Sequence, residues 1–488
     1  MSSDARSAVK NSAASIMGQM AILMVSLISG VYVARVLGRE QFGIYNWAFA
    51  LVGVVWAVAN VGIDNVITRD IARAKGKAPE YLISSFVVKV FSSGLCYGGI
   101  LVYLHLRAYT GLQLTVGYIL CSTVIAECMN ASCRAVLVGV ERQDLSAYVA
   151  VGTNVLRVVV VVVLIYMGFN IAAVAWVTVG VTALTLIINL LVISRLVAAA
   201  WRPSLTTMKH LVAMGATFFA SQFFAGIFDR ADFIMLDWYK DVQSVGIYAA
   251  AYRIMEIITM IAYNCSLALY PIMARRVHGS KEEYARAIQR STKYLTILGI
   301  PLCTGVFLLS HQLMVGLYSA TFAASGTCLA ILVWSRLITF AILPGQQAVH
   351  ARNAQLWLVP PVIARVLINI PLNIYLIPRY GYIGASISMV ITDNIYYSLM
   401  YLFAFRGPER FNPLTLLARP LLAAGAMTLI ILLLRPFGII IATAGGMVTY
   451  LLALPTFGAI DSEDKQILGG LLADIRLRIG RRKPTIEE

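Results

Sequence analysis

Charge is what this chain has least of: Asp, Glu, Lys and Arg together make up 13% of 488 residues, while 59% are hydrophobic and the mean hydropathy is +0.79. A soluble chain of this length needs far more charge to cover its surface, so the composition describes a polytopic membrane protein. Acids are scarcer than bases, 23 against 39, leaving a net charge of +16. That excess does not indicate nucleic acid, because the basic residues gather in short loops on alternate sides of apolar runs. The seven cysteines form no CxxC or metal-spaced set, and most fall inside apolar runs, so they read as small packing residues. The five histidines (His105, His210, His278, His311 and His350) are scattered with no HExxH pattern. There is no Walker A sequence, which excludes ATP hydrolysis by the chain itself. The polar start and the long apolar run behind it lead us to expect no cleavable signal peptide. Strands that cross membranes alternate apolar and polar residues over about ten positions, and that pattern is missing too.

What the chain does have is apolar stretches of about 20 residues, recurring along its length. They predict about fourteen transmembrane helices: 11–37, 43–66, 81–106, 113–138, 147–167, 171–194, 210–236, 244–271, 284–310, 325–349, 354–377, 382–405, 414–434 and 438–459. One set of loops carries many bases, among them Arg69, Arg73, Lys75, Lys77, Arg142, Arg202, Lys209, Arg275, Arg276 and Arg352. The opposite set holds only Arg35, Arg39, Arg107, Lys240, Arg379 and Arg435. The asymmetry puts both termini in the cytoplasm and requires an even number of spans. The outer loops are short and leave no room for a large catalytic domain.

A faint internal repeat divides the chain. Phe42-Gly43-Ile44-Tyr45 opens the second span and Val245-Gly246-Ile247-Tyr248 the eighth, about 203 residues later. Ile71-Ala72-Arg73 and Met273-Ala274-Arg275 close the corresponding segments, and the stretch from Gly168 is echoed from Gly381. Six spans per half keep the halves parallel, as in transporters that rock two bundles. The expected organisation is an N-terminal six-helix lobe (1–194), a cytoplasmic linker and hinge (195–209), a second six-helix lobe (210–406), two further spans (407–460) and an amphipathic basic tail (461–488). In that tail Ile467, Leu471, Leu472, Ile475 and Ile479 share one helical face, suited to an anionic lipid surface.

Five basic residues fall near the middle of predicted spans: Lys89, Arg157, Arg253, Arg336 and Arg365. A charge at the bilayer centre costs at least about 2.5–3.5 kcal/mol. Counting in from the span ends at about 1.5 Å per residue brings all five to one middle band. So many charges of one sign predict a water-filled cationic cavity for something anionic. Arginine suits a phosphate or pyrophosphate, because its guanidinium forms forked hydrogen bonds and stays charged. Glu256, three residues on, and Asp229, at comparable depth on the preceding span, lie close enough to neutralise Arg253. Among the intramembrane acids, Asp229, Asp232, Glu256 and Asp393 are candidates for coupling to H+ or Na+, since a buried carboxylate exchanges protons near neutrality. The alternative for them is a structural ion-pair network. Asn369, Asn373 and Asn394 add oxygen donors for a hard cation. No other cofactor, no resident metal and no catalytic residue is expected.

The opening from Val33 to Tyr45 (VARVLGREQFGIY) resembles the first hairpin of Wzx-type polysaccharide and O-antigen flippases. The exit Val61–Arg73, the turn Asp229-Arg230-Ala231-Asp232 and the following Val245–Tyr252 are similar to that family as well. The resemblance covers roughly residues 10–405. It implies the multidrug/oligosaccharidyl-lipid/polysaccharide exporter superfamily: an all-α membrane protein with two lobes in a V, alternating access and two added helices. The implied cargo is an undecaprenyl-pyrophosphate-linked oligosaccharide, flipped from the cytoplasmic to the outer leaflet of the cell's inner membrane. Implied partners are membrane lipids, a polysaccharide polymerase and chain-length proteins. Within the same superfamily, a peptidoglycan-precursor flippase or a multidrug exporter is the competing expectation. A drug exporter would call for an acidic or apolar lumen, whereas this one is expected to be basic.

Overall fold

The structure, a computed structural model, describes residues 3–197, 202–276, 280–352, 355–404, 413–461 and 464. Those residues form thirteen α-helices and a few 3₁₀ turns, with no strand among them. The first six are α1 (Ser3–Ala59), α2 (Asp64–Arg73), α3 (Ala78–Leu106), α4 (Gly111–Gly139), α5 (Gln143–Tyr166) and α6 (Ile171–Leu196). They are followed by α7 (Leu205–Tyr239), α8 (Val242–Arg276), α9 (Lys281–Leu317), α10 (Ala323–Ala351), α11 (Val359–Ala404), α12 (Pro413–Leu434) and α13 (Ile439–Thr456).

Two of these are pairs of spans joined almost without a loop. Helical geometry fails within α1 only at Gly38 (φ 77°) and within α11 only at Gly381 (φ 56°), conformations that a side chain resists and glycine accepts. The expected loops around 38–42 and 378–381 therefore shrink to single-residue breaks. By length and composition eleven helices among the described residues suit a membrane crossing, or twelve with the bent α7 taken as one span, and two of them, α1 and α11, are each broken at a glycine. One sequence boundary moves. The second span ends at Ala59, and Val61 and Gly62, both with positive φ, turn the chain into the separate helix α2. Asp64 thereby opens a short amphipathic helix instead of sitting inside a span.

The first-half helices pack on one another, as α4 with α6 and α3, and α1 with α5 and α4. In the second half α10 packs on α9, α8 and α11, while α12 and α13 lie together on α9. The halves join where α1 meets α7 and α8, and one apolar core runs through the seam. Here the sequence repeat acquires a physical meaning. A Cβ on Gly43 would fall 1.8 Å from the Val242 carbonyl oxygen, and one on Gly246 would fall 2.1 Å from that of Arg39. The two equivalent glycines thus let the repeats touch backbone to backbone, in a reciprocal contact. Gly43→Ala is expected to push this contact open. Disulfide trapping between cysteines introduced at Arg39 and Val242 should fall, and undiminished trapping would contradict the contact.

The expected hinge at 195–209 falls partly outside the described residues. Its described end is tied to the first half: the Ser204 amide donates to Ser84 Oγ at 3.0 Å, Thr207 bonds Glu80, and His210 lies 2.8 Å from Asp70. Burial works against ionisation of Asp70, but Arg69 and His210 outweigh it and hold the carboxyl below its usual range. The bend in this region lies inside α7, where 205–220 and 222–239 meet at 50°. At the far end, Lys293 holds Asp461 and Asp464, each at 2.6 Å, which fastens the chain beyond α13 to α9. The amphipathic tail helix expected over 461–488 lies outside the described residues except at Asp461 and Asp464. All seven cysteines are free and five are buried, as packing residues would be.

Candidate functional site

A partly open cavity of about 310 Å³ lies between the halves, walled by α1, α5, α6, α7 and α8. Its polar lining is Ser26, Ser29, Asn46, Asn154, Arg157, Arg230, Arg253 and Glu256, with tyrosines 45 and 252 among apolar neighbours. Toward the end marked by Gly38 it is sealed. The Gly43–Gly246 contact closes one side. On the other side Arg35 Nε donates to the Leu317 carbonyl at 2.6 Å, its Nη2 reaches Gly316, and Phe42 meets the Phe322 ring edge-on at 6.0 Å. A cation at the last carbonyls of α9 is favoured by the helix dipole.

Each charge in the cavity has a different degree of freedom. Arg157 comes from α5 and donates to Asn154 Oδ1 at 2.6 Å, one turn back on its own helix. Arg253, on α8, bonds Glu256 at 2.8 Å across one helical turn, and both remain about one-third exposed. Arg230 comes from α7 and lies over Gly53 of α1. A Cβ there would fall 2.9 Å from its Cγ, so only glycine leaves the side chain its present path. Neither Arg157 nor Arg230 forms an ion pair among the described residues. Three guanidiniums against one carboxylate leave the lining formally at +2.

The other three predicted cations do not line this cavity. Lys89 is fully buried, 2.5 Å from Asp64 and 3.0 Å from the Cys128 carbonyl. Arg336 and Arg365 grip the two oxygens of Asp393, which is itself completely buried; the Arg336 contact is 3.0 Å. Arg365 is further held between the Phe228 and Tyr396 rings, 3.5 and 4.5 Å from their centroids. Of the five cations expected to line one cavity, Lys89, Arg336 and Arg365 instead lie against carboxylates outside it. The reason is sequence distance. Asp64 stands 25 residues from Lys89, and Asp393 stands 57 and 28 residues from its arginines, so no local pattern announces either pair.

The four candidate acids also part company. Glu256 lines the cavity beside Arg253, and Asp393 belongs to the arginine clamp. Asp229 is exposed, with Arg365 and Arg230 as the nearest opposing charges. Asp232 is buried and accepts hydrogen bonds from Tyr248 at 2.8 Å and from Asn373 Nδ2 at 2.5 Å. Asn373 also donates to Asn369 Oδ1 at 2.9 Å. Beside this carboxylate, Asn373 Oδ1 and Asn369 Nδ2 are buried without partners, and Asp232 has no ion pair among the described residues. A buried acid beside incompletely satisfied amides suits a proton or a small hard cation. Groups of three or more His, Cys, Asp or Glu side chains disposed to hold a metal are absent among the described residues.

Arg230 is the cavity residue that sequence reasoning passed over. Its signal was present in the turn Asp229-Arg230-Ala231-Asp232. At 100° per residue, that turn must aim its charges in different directions, one toward the cavity and one toward the amide cluster.

Comparison with known proteins places these features in context. The profile of the family described as "Polysaccharide biosynthesis protein" matches residues 8–277, and that described as "MatE" matches 211–375. The chain is 23% identical over 449 residues to the "Probable flippase AglR" of Haloferax volcanii, covering 87% of this chain and 91% of that protein. It is 21% identical over 395 residues to the "Probable low-salt glycan biosynthesis flippase Agl15" of the same organism, covering 80% of each. Among solved structures, "Lipid II flippase MurJ, inward closed conformation" superposes with a TM-score of 0.73 at 14% identity, over 90% of this chain and 98% of that one. An inward-facing "multidrug resistance MATE family transporter of the MOP superfamily" gives 0.62 at 17% identity, over 80% and 97%. At such identities the structural likeness speaks for the fold: an all-α, many-spanned membrane protein.

Proposed function

The chain belongs to the polysaccharide biosynthesis protein family, and on that premise we propose that it is a flippase of glycan assembly, carrying an undecaprenyl-pyrophosphate-linked oligosaccharide across the membrane. The observation that carries the reading is the convergence of Arg157, Arg230 and Arg253 on one cavity whose lining holds a single acid, Glu256. Three forked cations balance a pyrophosphate that would otherwise meet hydrocarbon. Because Arg253 already shares its charge with Glu256, the cargo is held by a distributed field and not by one tight clamp. The two relatives named as flippases, one of them of glycan biosynthesis, support the same class.

In this reading both termini are cytoplasmic, in keeping with the bases crowding the loops at that face. The Gly38 end then faces outward, and its closure describes a state that takes cargo from the inside. Transport follows from rocking the lobe 1–194 against the lobe 210–406 until the Gly43–Gly246 contact opens. Asp232, with Asn369 and Asn373, is the candidate for the coupling ion, H+ or Na+. It sits two residues from Arg230 on the same helical turn, so occupancy at one end of the turn bears on the geometry at the other.

The test is reconstitution in vesicles with labelled lipid-linked oligosaccharide and an imposed proton or sodium gradient. Translocation should follow one gradient in the unaltered protein. Asp232→Asn, which keeps the hydrogen-bonding shape but removes the charge, should leave a slow rate indifferent to either gradient. Gradient dependence surviving in that variant would remove Asp232 from the coupling role. Expulsion of cationic drugs without any glycan movement would instead favour a multidrug exporter, against the basic lining seen here.

A further inference from the structure

A second hollow, of about 540 Å³, lies on the other face of the α1–α7 seam from the cationic cavity. Its walls are almost wholly apolar and come from both halves of the chain: Leu51 and Val55 of α1, Ile100 of α3, Ile234 of α7 and Ile374 of α11 are representative. Water gains nothing in such a space, and an apolar cavity of about 150 Å³ is already large enough to take up benzene. One that is more than three times larger and open toward the membrane therefore fills with hydrocarbon.

The mouth carries a different chemistry. At the Gly38 end of the bundle, the Trp238 indole donates to the Tyr103 hydroxyl at 2.5 Å, and both side chains line the hollow. The Arg107 guanidinium stands 5.4 Å above the Trp238 ring and is exposed. Tryptophan and tyrosine with polar ends outward mark the headgroup level of a bilayer, and an arginine there meets phosphate. We propose that this groove is a binding site for one acyl chain of a membrane glycerophospholipid in the leaflet at the Gly38 end, with its phosphate at Arg107.

The cargo's own tail is a poorer occupant for a topological reason. Between groove and cavity the helices touch through small residues: a Cβ on Gly226 would fall 2.4 Å from that of Ala57, and Arg230 covers Gly53. That wall gives a headgroup in the cavity no route for its chain into the groove. A resident phospholipid meets no such barrier, since the groove opens to the bilayer. Because its walls come from both halves, a seated chain bridges them in the closed arrangement described here.

The site offers a clean way to fill it. A Cβ on Gly99 would meet no atom within 4 Å. Gly99→Phe therefore adds a ring to the hollow without a backbone clash, and removing glycine from a helix interior favours folding. The full chain would be reconstituted in phosphatidylethanolamine–phosphatidylglycerol vesicles holding a trace of phospholipid with a diazirine in one acyl chain. Photolysis followed by peptide mass spectrometry should find adducts around Gly99–Tyr103 and Ile234–Trp238. In Gly99→Phe these should drop to background, while adducts near the exposed Phe91 and Leu95 persist. Arg107→Gln should lower groove labelling by the phospholipid probe but not by an uncharged diacylglycerol probe. Groove labelling that ignores Gly99→Phe, or that is absent from the unaltered protein, would overturn the site. Preferential labelling by a diazirine polyprenyl phosphate would overturn the assignment to phospholipid. Neither outcome bears on whether oligosaccharide is flipped, so this site and the transport reading fail separately.

Discussion

Arg157→Ala is expected to stop glycan from reaching the outer surface while the protein remains in the membrane at normal abundance. The two halves of that expectation have one cause. Arg157 is held by a neutral partner, Asn154, and no carboxylate is left stranded when its guanidinium goes. Folding therefore loses little, whereas the cargo loses one of three cations. A hydrogen bond to a charged group is worth about 1.5–3 kcal/mol, which is a factor of roughly ten to a hundred in occupancy or rate. Arg230→Ala should behave alike, since Arg230 also has no ion pair among the described residues. Arg157→Lys keeps the charge but loses the fork, and should recover only part of the function. Surface polymer is read by glycan staining, and abundance by immunoblot of membranes. Normal polymer from both alanine variants would remove the cationic cavity from the mechanism.

The largest stability effect is expected at Asp393. Its side chain is completely buried and is the carboxylate shared by Arg336 and Arg365. Removing one partner of a buried ion pair costs about 3–5 kcal/mol, because the remaining charge stays desolvated without compensation. Asp393→Ala orphans two. The variant should unfold at a clearly lower temperature in detergent and be scarce in membranes. Replacing all three residues with apolar ones of similar volume should recover much of the loss, since such a triad is costly to assemble as well as to break. A variant lacking Asp393 that melted like the unaltered protein would show the clamp to be energetically idle. The contrast with Arg157 matters for reading any mutational survey: loss of function at Asp393, Arg336 or Arg365 reports first on folding, and loss at Arg157 or Arg230 on cargo.

Much of the architecture was legible without coordinates because hydrocarbon imposes a simple rule. Every backbone polar group must be satisfied within its own helix, so each span writes itself as an apolar run of fixed length. The repeated Phe42-Gly43 and Val245-Gly246 motifs were legible too, but not their purpose. Only the folded chain shows the two glycines pressed against each other's helices. The tight breaks at Gly38 and Gly381 replaced expected loops, since one residue with positive φ kinks the chain without polar spacer residues.

The candidate site was half legible. A basic residue in an apolar run is conspicuous, yet its meaning depends on what lies opposite. Arg157 and Arg365 occupy comparable depths on spans expected to be equivalent. One faces an open cavity and the other is locked to Asp393 between two rings. Arg230 was visible but unassigned, being one charge among three in a single turn.

The sequence by itself determined that the chain lives in a membrane, that it crosses it many times, and that it must house several positive charges there, because these follow from composition and local periodicity. Which charges are free to meet cargo was decided only by the tertiary structure. Coulombic pairing acts over a few ångströms in space and takes no account of separation along the chain, so Asp64 reaches Lys89 and Asp393 reaches Arg336 and Arg365 with no local pattern to announce either contact.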